Sequence, residues 1–229
     1  MDLNLPWPVV LLARLLTALT PSYIHPDEHF QGPQVIAALV LGWDVQKPWE
    51  FTADRPIRSV ASLWTIYAPV LYPWKYIAGS NGSGFPLYVA LRLWFCLLTY
   101  LFGTTRPIFH LTPHPLLTTH PLFCAVDRSL SDIVGSAQRV RVARFFLTSS
   151  YAFLVYQSHT FSNAIETILV IQTLVLCKKL SRWPSLRTPA RFALLGVLVA
   201  YGIFNRPTFP FWALVPLLSL LFHLSLRDV

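Results

Sequence analysis

The chain has 229 residues, 54% of them hydrophobic and only 12% charged, with a mean hydropathy of +0.51; an ordinary soluble domain carries about 25% charge. This excludes the usual soluble make-up and points to a membrane protein, consistent with abundant Phe, Trp and Tyr and with 19 prolines. The formal charge of +8 is spread between apolar runs with no continuous basic stripe, so nucleic acid is not indicated as a partner.

Six apolar segments follow in chain order, at residues 5–20, 85–103, 142–157, 160–177, 191–204 and 207–224. They predict an all-α, multi-pass transmembrane protein of about six spans, several of them shorter than the ~20 residues an untilted span needs. No small-residue cleavage site follows the first run, which reads as a retained span rather than a signal peptide. The loop 21–84 contains two further apolar stretches, PQVIAALVLGW (33–43) and SLWTIYAPVLYPWKYIAG (62–79), the second broken by Pro69 and Pro73. Both read as helices lying in the membrane interface. Residues 1–229 are taken as a single membrane domain.

Lys and Arg counts then set sidedness, because cytoplasmic loops collect them. Arg106, Arg128, Arg139, Arg141 and Arg144 fall in 104–144, and Lys178, Lys179, Arg182, Arg187 and Arg191 in 178–191; both segments read as cytoplasmic. The loop 21–84 and the turns at 158–163 and 204–207 fall on the opposite, lumenal side. HPDE, SHTFSN and FNRPTF thereby emerge on one face, where a single polar site can gather them.

The stretch SYIHPDEHFQ (22–31) concentrates the ionisable chemistry. Pro26 suits a first helical turn, and Asp27 and Glu28 sit where a helix dipole favours negative charge. Neighbouring helical positions point about 100° apart, so the two carboxylates need not share a task. Ordinary capping acids are the plain alternative. His25 and His29, spaced i and i+4, could grip a metal with Asp27, but no third His or Cys ligand lies nearby, and no metal site is assigned. Glu166 stands about seven residues into the fourth apolar run with Asn163 at i−3 and Ser162 at i−4, a polar stripe that serves either a site or helix packing. A bare carboxylate at mid-bilayer costs on the order of 3 kcal/mol, so it should face a cavity or a partner. PWEFTADRPIRS (48–59) offers Trp49 to stack on a sugar and Arg58 to clamp a phosphate, or it is a solvated loop. Cys96, Cys124 and Cys177 have no disulfide or zinc spacing.

HPDEHFQ after the first apolar run, PWEF and RPIRS in the loop behind it, SHTFSNAIE opening a later helix and GIFNRPTFPFW opening another resemble the endoplasmic-reticulum mannosyltransferases that use dolichyl-phosphate-mannose. The resemblance covers nearly the whole chain. Members are usually much longer, so the chain is expected to be an amino-terminal portion, and they often carry Arg where this chain has His159. The resemblance implies inverting transfer of mannose from dolichyl-phosphate-mannose, without a further cofactor, to a glycosylphosphatidylinositol anchor precursor at the endoplasmic-reticulum membrane. The fourth, α1,2-linked mannose is favoured over the third; a truncated non-catalytic form is the other alternative. A transporter would need paired repeats, which are not seen. The partners so implied are a lipid donor and a glycolipid acceptor. Asp27 and Glu28 are then the expected catalytic pair, with Asp27 as base. His25, Gln31, Trp49, Arg58, His159, Asn163, Glu166 and Arg206 are the expected substrate-binding residues, and Arg58, Arg206 or His159 would meet the leaving phosphate.

Overall fold

The computed structural model describes residues 7–22, 24–104, 133–134, 136–157 and 159–225. Its helices are α1 (Trp7–Leu19), α2 (Asp27–Phe30), α3 (Pro33–Leu41), α4 (Trp49–Thr52), α5 (Val60–Ala78), α6 (Gly84–Thr104), α7 (Ala137–Ser149), α8 (Ser162–Arg182), α9 (Pro189–Asn205) and α10 (Phe209–Ser225). A π-helical turn, Ala152–Tyr156, follows α7, and a 3₁₀ turn, Pro184–Leu186, follows α8. The elements start and stop where local chemistry dictates. Pro33 opens α3, and Gly42 closes it in the left-handed conformation (φ 74°) that only glycine adopts without strain. The Ser59 hydroxyl caps α5, accepting from the Ala61 amide at 3.1 Å.

The core is built from five of these helices. Val35, Ile36 and Val40 of α3 face Leu63, Ile66 and Leu71 of α5; Leu87, Leu91 and Phe95 of α6, Ile165 and Ile168 of α8, and Phe209 of α10 close around them. At the far end, Cys177, Leu180, Leu195 and Leu220 form a smaller cluster between α8, α9 and α10. The helix α1 lies against α6 and the π-helical turn, where the Thr17 hydroxyl donates to the Leu154 carbonyl at 3.0 Å and the Arg14 guanidinium sits over the Phe153 ring at 4.6 Å.

Two expectations need correction. The chain is helical, but among the described residues no helix is long and apolar enough to cross a membrane, so the six-span architecture is not found. Within the described residues α1 and α7 run about 20 Å and α9 and α10 about 26 Å, against a hydrocarbon core of about 30 Å. The longer α8 carries Glu166, Lys178, Lys179 and Arg182, and α5 contains Pro69 and Pro73. The lumenal and cytoplasmic assignments depended on those crossings; most of the basic segment 104–144, and Cys124 with it, lies outside the described residues. The second correction concerns the two stretches read as interfacial helices. They are helical, as α3 and α5, but they occupy the centre of the fold, with Ile36 and Leu71 fully buried. One face of each packs on the other and on α6, while Leu39 of α3 and Tyr72, Tyr76 and Ile77 of α5 stay exposed.

Candidate functional site

A cavity of about 440 Å³ opens where α2, the segment around Arg58, the π-helical turn, the start of α8 and the turn between α9 and α10 converge. HPDE, SHTFSN and FNRPTF, distant in sequence, meet there. His25, Asp27, Gln31, Arg58, Asn163 and Arg206 line it, together with Ile24, Glu50, Tyr156 and Thr208.

Asp27 reaches the cavity from a four-residue helix that has no side-chain cap of the usual kind at Pro26. Its backbone amide donates to Nδ1 of His25 at 3.2 Å, and the same ring nitrogen lies 3.5 Å from Oδ2 of Asp27. The Asp27 side chain stays 48% exposed and the His25 side chain 60%. Across the cavity, Arg58 is almost fully enclosed. Its Nη1 donates to Oε1 of Gln31 at 2.8 Å and to Oε2 of Glu50 at 3.1 Å, and its Nη2 donates to the Asn205 carbonyl at 3.4 Å. Asn205 in turn donates from Nδ2 to the Ser162 carbonyl at 3.2 Å, tying the end of α9 to the start of α8. Arg206 is more open. Its Nη1 lies 3.4 Å from Oε2 of Glu166, and Glu166 Oε1 accepts from the Thr208 hydroxyl at 2.8 Å. Glu166 therefore finds the partners its place in an apolar helix demanded. It stands behind the cavity wall and orients Arg206 and Thr208, which line it.

Glu28 and His159 lie elsewhere. Both are fully buried and neither lines the cavity. Oε1 of Glu28 is 2.8 Å from Nη2 of Arg92 and 2.9 Å from Nδ1 of His159. Burial acts to raise the Glu28 carboxyl, and the contact with His159 and the charge of Arg92 outweigh it, holding the group below the ordinary carboxylate value. His29, on the third side of α2, is pushed down by burial against the opposing pull of Glu28. It lines a separate, smaller cavity of about 160 Å³ with Tyr88 and Trp43. Trp49 is 66% exposed and stands outside the cavity. Among the described residues no three His, Cys, Asp or Glu side chains come together as metal ligands; His25 and Asp27 face one cavity and His29 the other. Cys177 is a buried free thiol.

Reading the sequence missed Thr208, Asn205 and Tyr156. Thr208 carried a signal, since it lies two residues beyond Arg206 in the same turn and a carboxylate without a visible partner stood in α8. Tyr156 carried none, because the π-helical turn that aims it has no sequence signature; such turns recur at functional sites.

The family model of the Alg9-like mannosyltransferase family matches residues 5–229. GPI mannosyltransferase 4 of Aspergillus oryzae is 35% identical over 226 residues, covering 96% of this chain and 37% of that protein. Human GPI alpha-1,2-mannosyltransferase 4 is 36% identical over 235 residues, covering 95% of this chain and 36% of its own length. The GPI mannosyltransferase 4 of Schizosaccharomyces pombe is 32% identical over 209 residues, covering 90% and 34%. The chain thus spans little more than a third of the length of these curated relatives. No solved structure matches it. With the family model covering all but the first four residues, the chain belongs to the Alg9-like mannosyltransferase family.

Proposed function

We propose that this chain supplies the reacting centre of a mannosyltransferase that moves mannose from dolichyl-phosphate-mannose to a glycosylphosphatidylinositol anchor precursor, forming the α1,2 bond of the fourth mannose. The observation that carries the reading is the placement of the half-exposed carboxylate of Asp27, the more open of the two carboxylates in the cavity, opposite walls that hold Arg58, Asn163 and Arg206. The names of the relatives support the acceptor class and the linkage. Both substrates of this reaction are lipid-borne, which supports a location at the endoplasmic-reticulum membrane, and the scheme calls on no further cofactor.

The donor mannose is β-linked and the product α-linked, so the acceptor hydroxyl attacks the anomeric carbon opposite the phosphate. As the new C–O bond forms, a carboxylate oxygen of Asp27 takes the hydroxyl proton. The bond from the anomeric carbon to the phosphate oxygen breaks, and its electron pair leaves with dolichyl phosphate. Negative charge grows on that oxygen, and Arg206 is the side chain best suited to meet it. It is half-open to the cavity while Glu166 fixes its direction, so its remaining N–H groups are available to a phosphate. Arg58, already bonded to Gln31, Glu50 and the Asn205 carbonyl, contributes field and wall rather than a free fork. His25, beside Asp27, and the exposed Asn163 are placed to hydrogen-bond the sugar.

The test uses cells lacking their own fourth-mannose transferase, with lipid-linked anchor precursors analysed with and without this chain. Accumulation of the four-mannose precursor with the unaltered chain, and its loss with Asp27→Asn at matched protein level, is the expected result. A four-mannose precursor that survives Asp27→Asn overturns the assignment of the base.

A further inference from the structure

We propose that Arg92 and His159 are positioning residues: together they grip the buried carboxylate of Glu28 and, through it, hold Asp27 in its direction into the cavity. The inference rests on the reading of Asp27 as the base and adds the groups that fix it.

The helix that carries Asp27 cannot hold itself. It has four residues and no side-chain cap bond at Pro26, and a helix of one turn gains too few hydrogen bonds to offset the ordering of its backbone. What fixes it is tertiary. Oε1 of Glu28 lies 2.8 Å from Nη2 of Arg92 and 2.9 Å from Nδ1 of His159, with all three side chains fully buried. The Glu28 backbone carbonyl accepts from the Thr160 hydroxyl at 3.0 Å. Upstream, the same Nη2 of Arg92 donates to the Ser22 carbonyl at 2.6 Å, and the Tyr88 hydroxyl donates to it at 2.8 Å. One guanidinium from α6 thus pins the segment on both sides of Asp27, at Ser22 and at Glu28. Because Asp27 and Glu28 are adjacent, any roll of α2 that moved Asp27 out of the cavity would drag the Glu28 carboxylate off its two partners.

None of Glu28, Arg92 and His159 lines the cavity. This separates them from residues that touch substrate and takes His159 out of the set expected to meet the phosphate. A guanidinium and an imidazole converging on one buried oxygen also explain why this carboxylate, and not its neighbour, is the immobile one.

The experiment compares Arg92→Met, Arg92→Lys and His159→Gln with the unaltered chain in two measurements. The first is amide hydrogen exchange of the whole chain. Faster exchange is expected across residues 24–31 in Arg92→Met and His159→Gln, with α9 and α10 unchanged; unchanged exchange at 24–31 overturns the clamp whatever the activity. The second is mannose transfer from dolichyl-phosphate-mannose. A misplaced base should lower kcat by about 10- to 100-fold with KM for the donor within about twofold, and Arg92→Lys should recover part of the loss. A raised donor KM with kcat preserved would instead make these residues substrate contacts and overturn the proposal. Asp27→Asn runs alongside: if it keeps transfer, the base assignment fails while exchange still judges the clamp. If it abolishes transfer and the Arg92 and His159 variants stay within about threefold in kcat, the clamp fails and the base stands. Should Arg92→Met not accumulate, the same two outcomes are read on Arg92→Lys and His159→Gln.

Discussion

Asp27 and Glu28 are consecutive residues that the first turn of α2 sends to opposite fates: the Asp27 side chain is half-exposed in the cavity, and that of Glu28 is fully enclosed against Arg92 and His159. A helical step of about 100° is enough to separate them. The pair is one exposed carboxylate for chemistry and one buried carboxylate for structure.

The two carboxylates should therefore fail differently. Asp27→Asn should lower transfer by roughly 10²–10⁴-fold, the usual range for a general base, with no loss of stability. Glu28→Gln leaves the Arg92 charge buried without its partner, and breaking such a pair costs about 3–5 kcal/mol. Denaturant or thermal unfolding of the purified chain, set beside transfer at matched protein level, separates the outcomes. Equal stability of Glu28→Gln and the unaltered chain would contradict the buried pairing.

Acid should loosen the segment around α2 in two stages. The folded state holds His29 below its ordinary value of 6.5, so the unfolded chain binds the extra proton first, and stability falls as pH drops below about 6.5. Glu28 is held below its ordinary value of 4.5, so its contribution is complete above that pH and is lost as pH falls through the folded value. The charges of Glu28, Arg92 and His159 act on His29, and the Tyr88 ring stands 5.8 Å from it. Unfolding midpoints recorded from pH 7.5 downward should show both limbs, and His29→Gln should flatten the upper limb alone.

Much of the helical layout was legible because apolar runs and Pro or Gly punctuation mark element ends. The runs at 85–103, 191–204 and 207–224 correspond closely to α6, α9 and α10. Whether such a run crosses a bilayer is another matter, since it depends on helix length and on where the polar side chains point, and the chain's apolar content alone misled on both. HPDE, SHTFSN and FNRPTF were brought together on the strength of a membrane topology that the structure does not show; they meet because α2, the start of α8 and the turn between α9 and α10 pack around one cavity. The division of labour between Asp27 and Glu28 was not legible, because it is set by Arg92 from α6 and His159 before α8, partners that no local pattern near residue 28 announces. The bond from Thr208 to Glu166 was hidden for the same reason.

Arg206 and Glu166 should show activity and stability uncoupled. Their pair is partly exposed, and ion pairs of that kind are worth about 0–1 kcal/mol. Arg206→Ala should leave unfolding nearly unchanged yet lower kcat by about 10²–10³-fold, the loss typical of removing a group that meets developing charge. Glu166→Gln keeps the hydrogen bond from Thr208 and removes the charge that orients Arg206, so its effect on kcat should be smaller. A destabilised Arg206→Ala with normal kcat per folded molecule would remove Arg206 from the mechanism.

The turn that presents Arg206 is held by a close approach, and two glycines of α9 test it against each other. An added Cβ at Gly202 would collide with the Phe209 ring, which is fully buried in the core, whereas at Gly196 nothing stands within 4 Å of one. In a helix interior Gly→Ala ordinarily gains about 0.8–1 kcal/mol from propensity alone. Gly196→Ala should therefore stabilise the chain by about that amount. At Gly202 overpacking costs typically 1–3 kcal/mol, which cancels or exceeds the gain, and the ring that opens α10 must shift, moving the 204–208 turn with it. Gly202→Ala should lower stability and transfer together, and Gly202→Ala combined with Phe209→Leu should recover part of both by giving the methyl room. If Gly196→Ala and Gly202→Ala stabilise equally in unfolding measurements, Phe209 is not seated on the α9 backbone and the turn is not held as described.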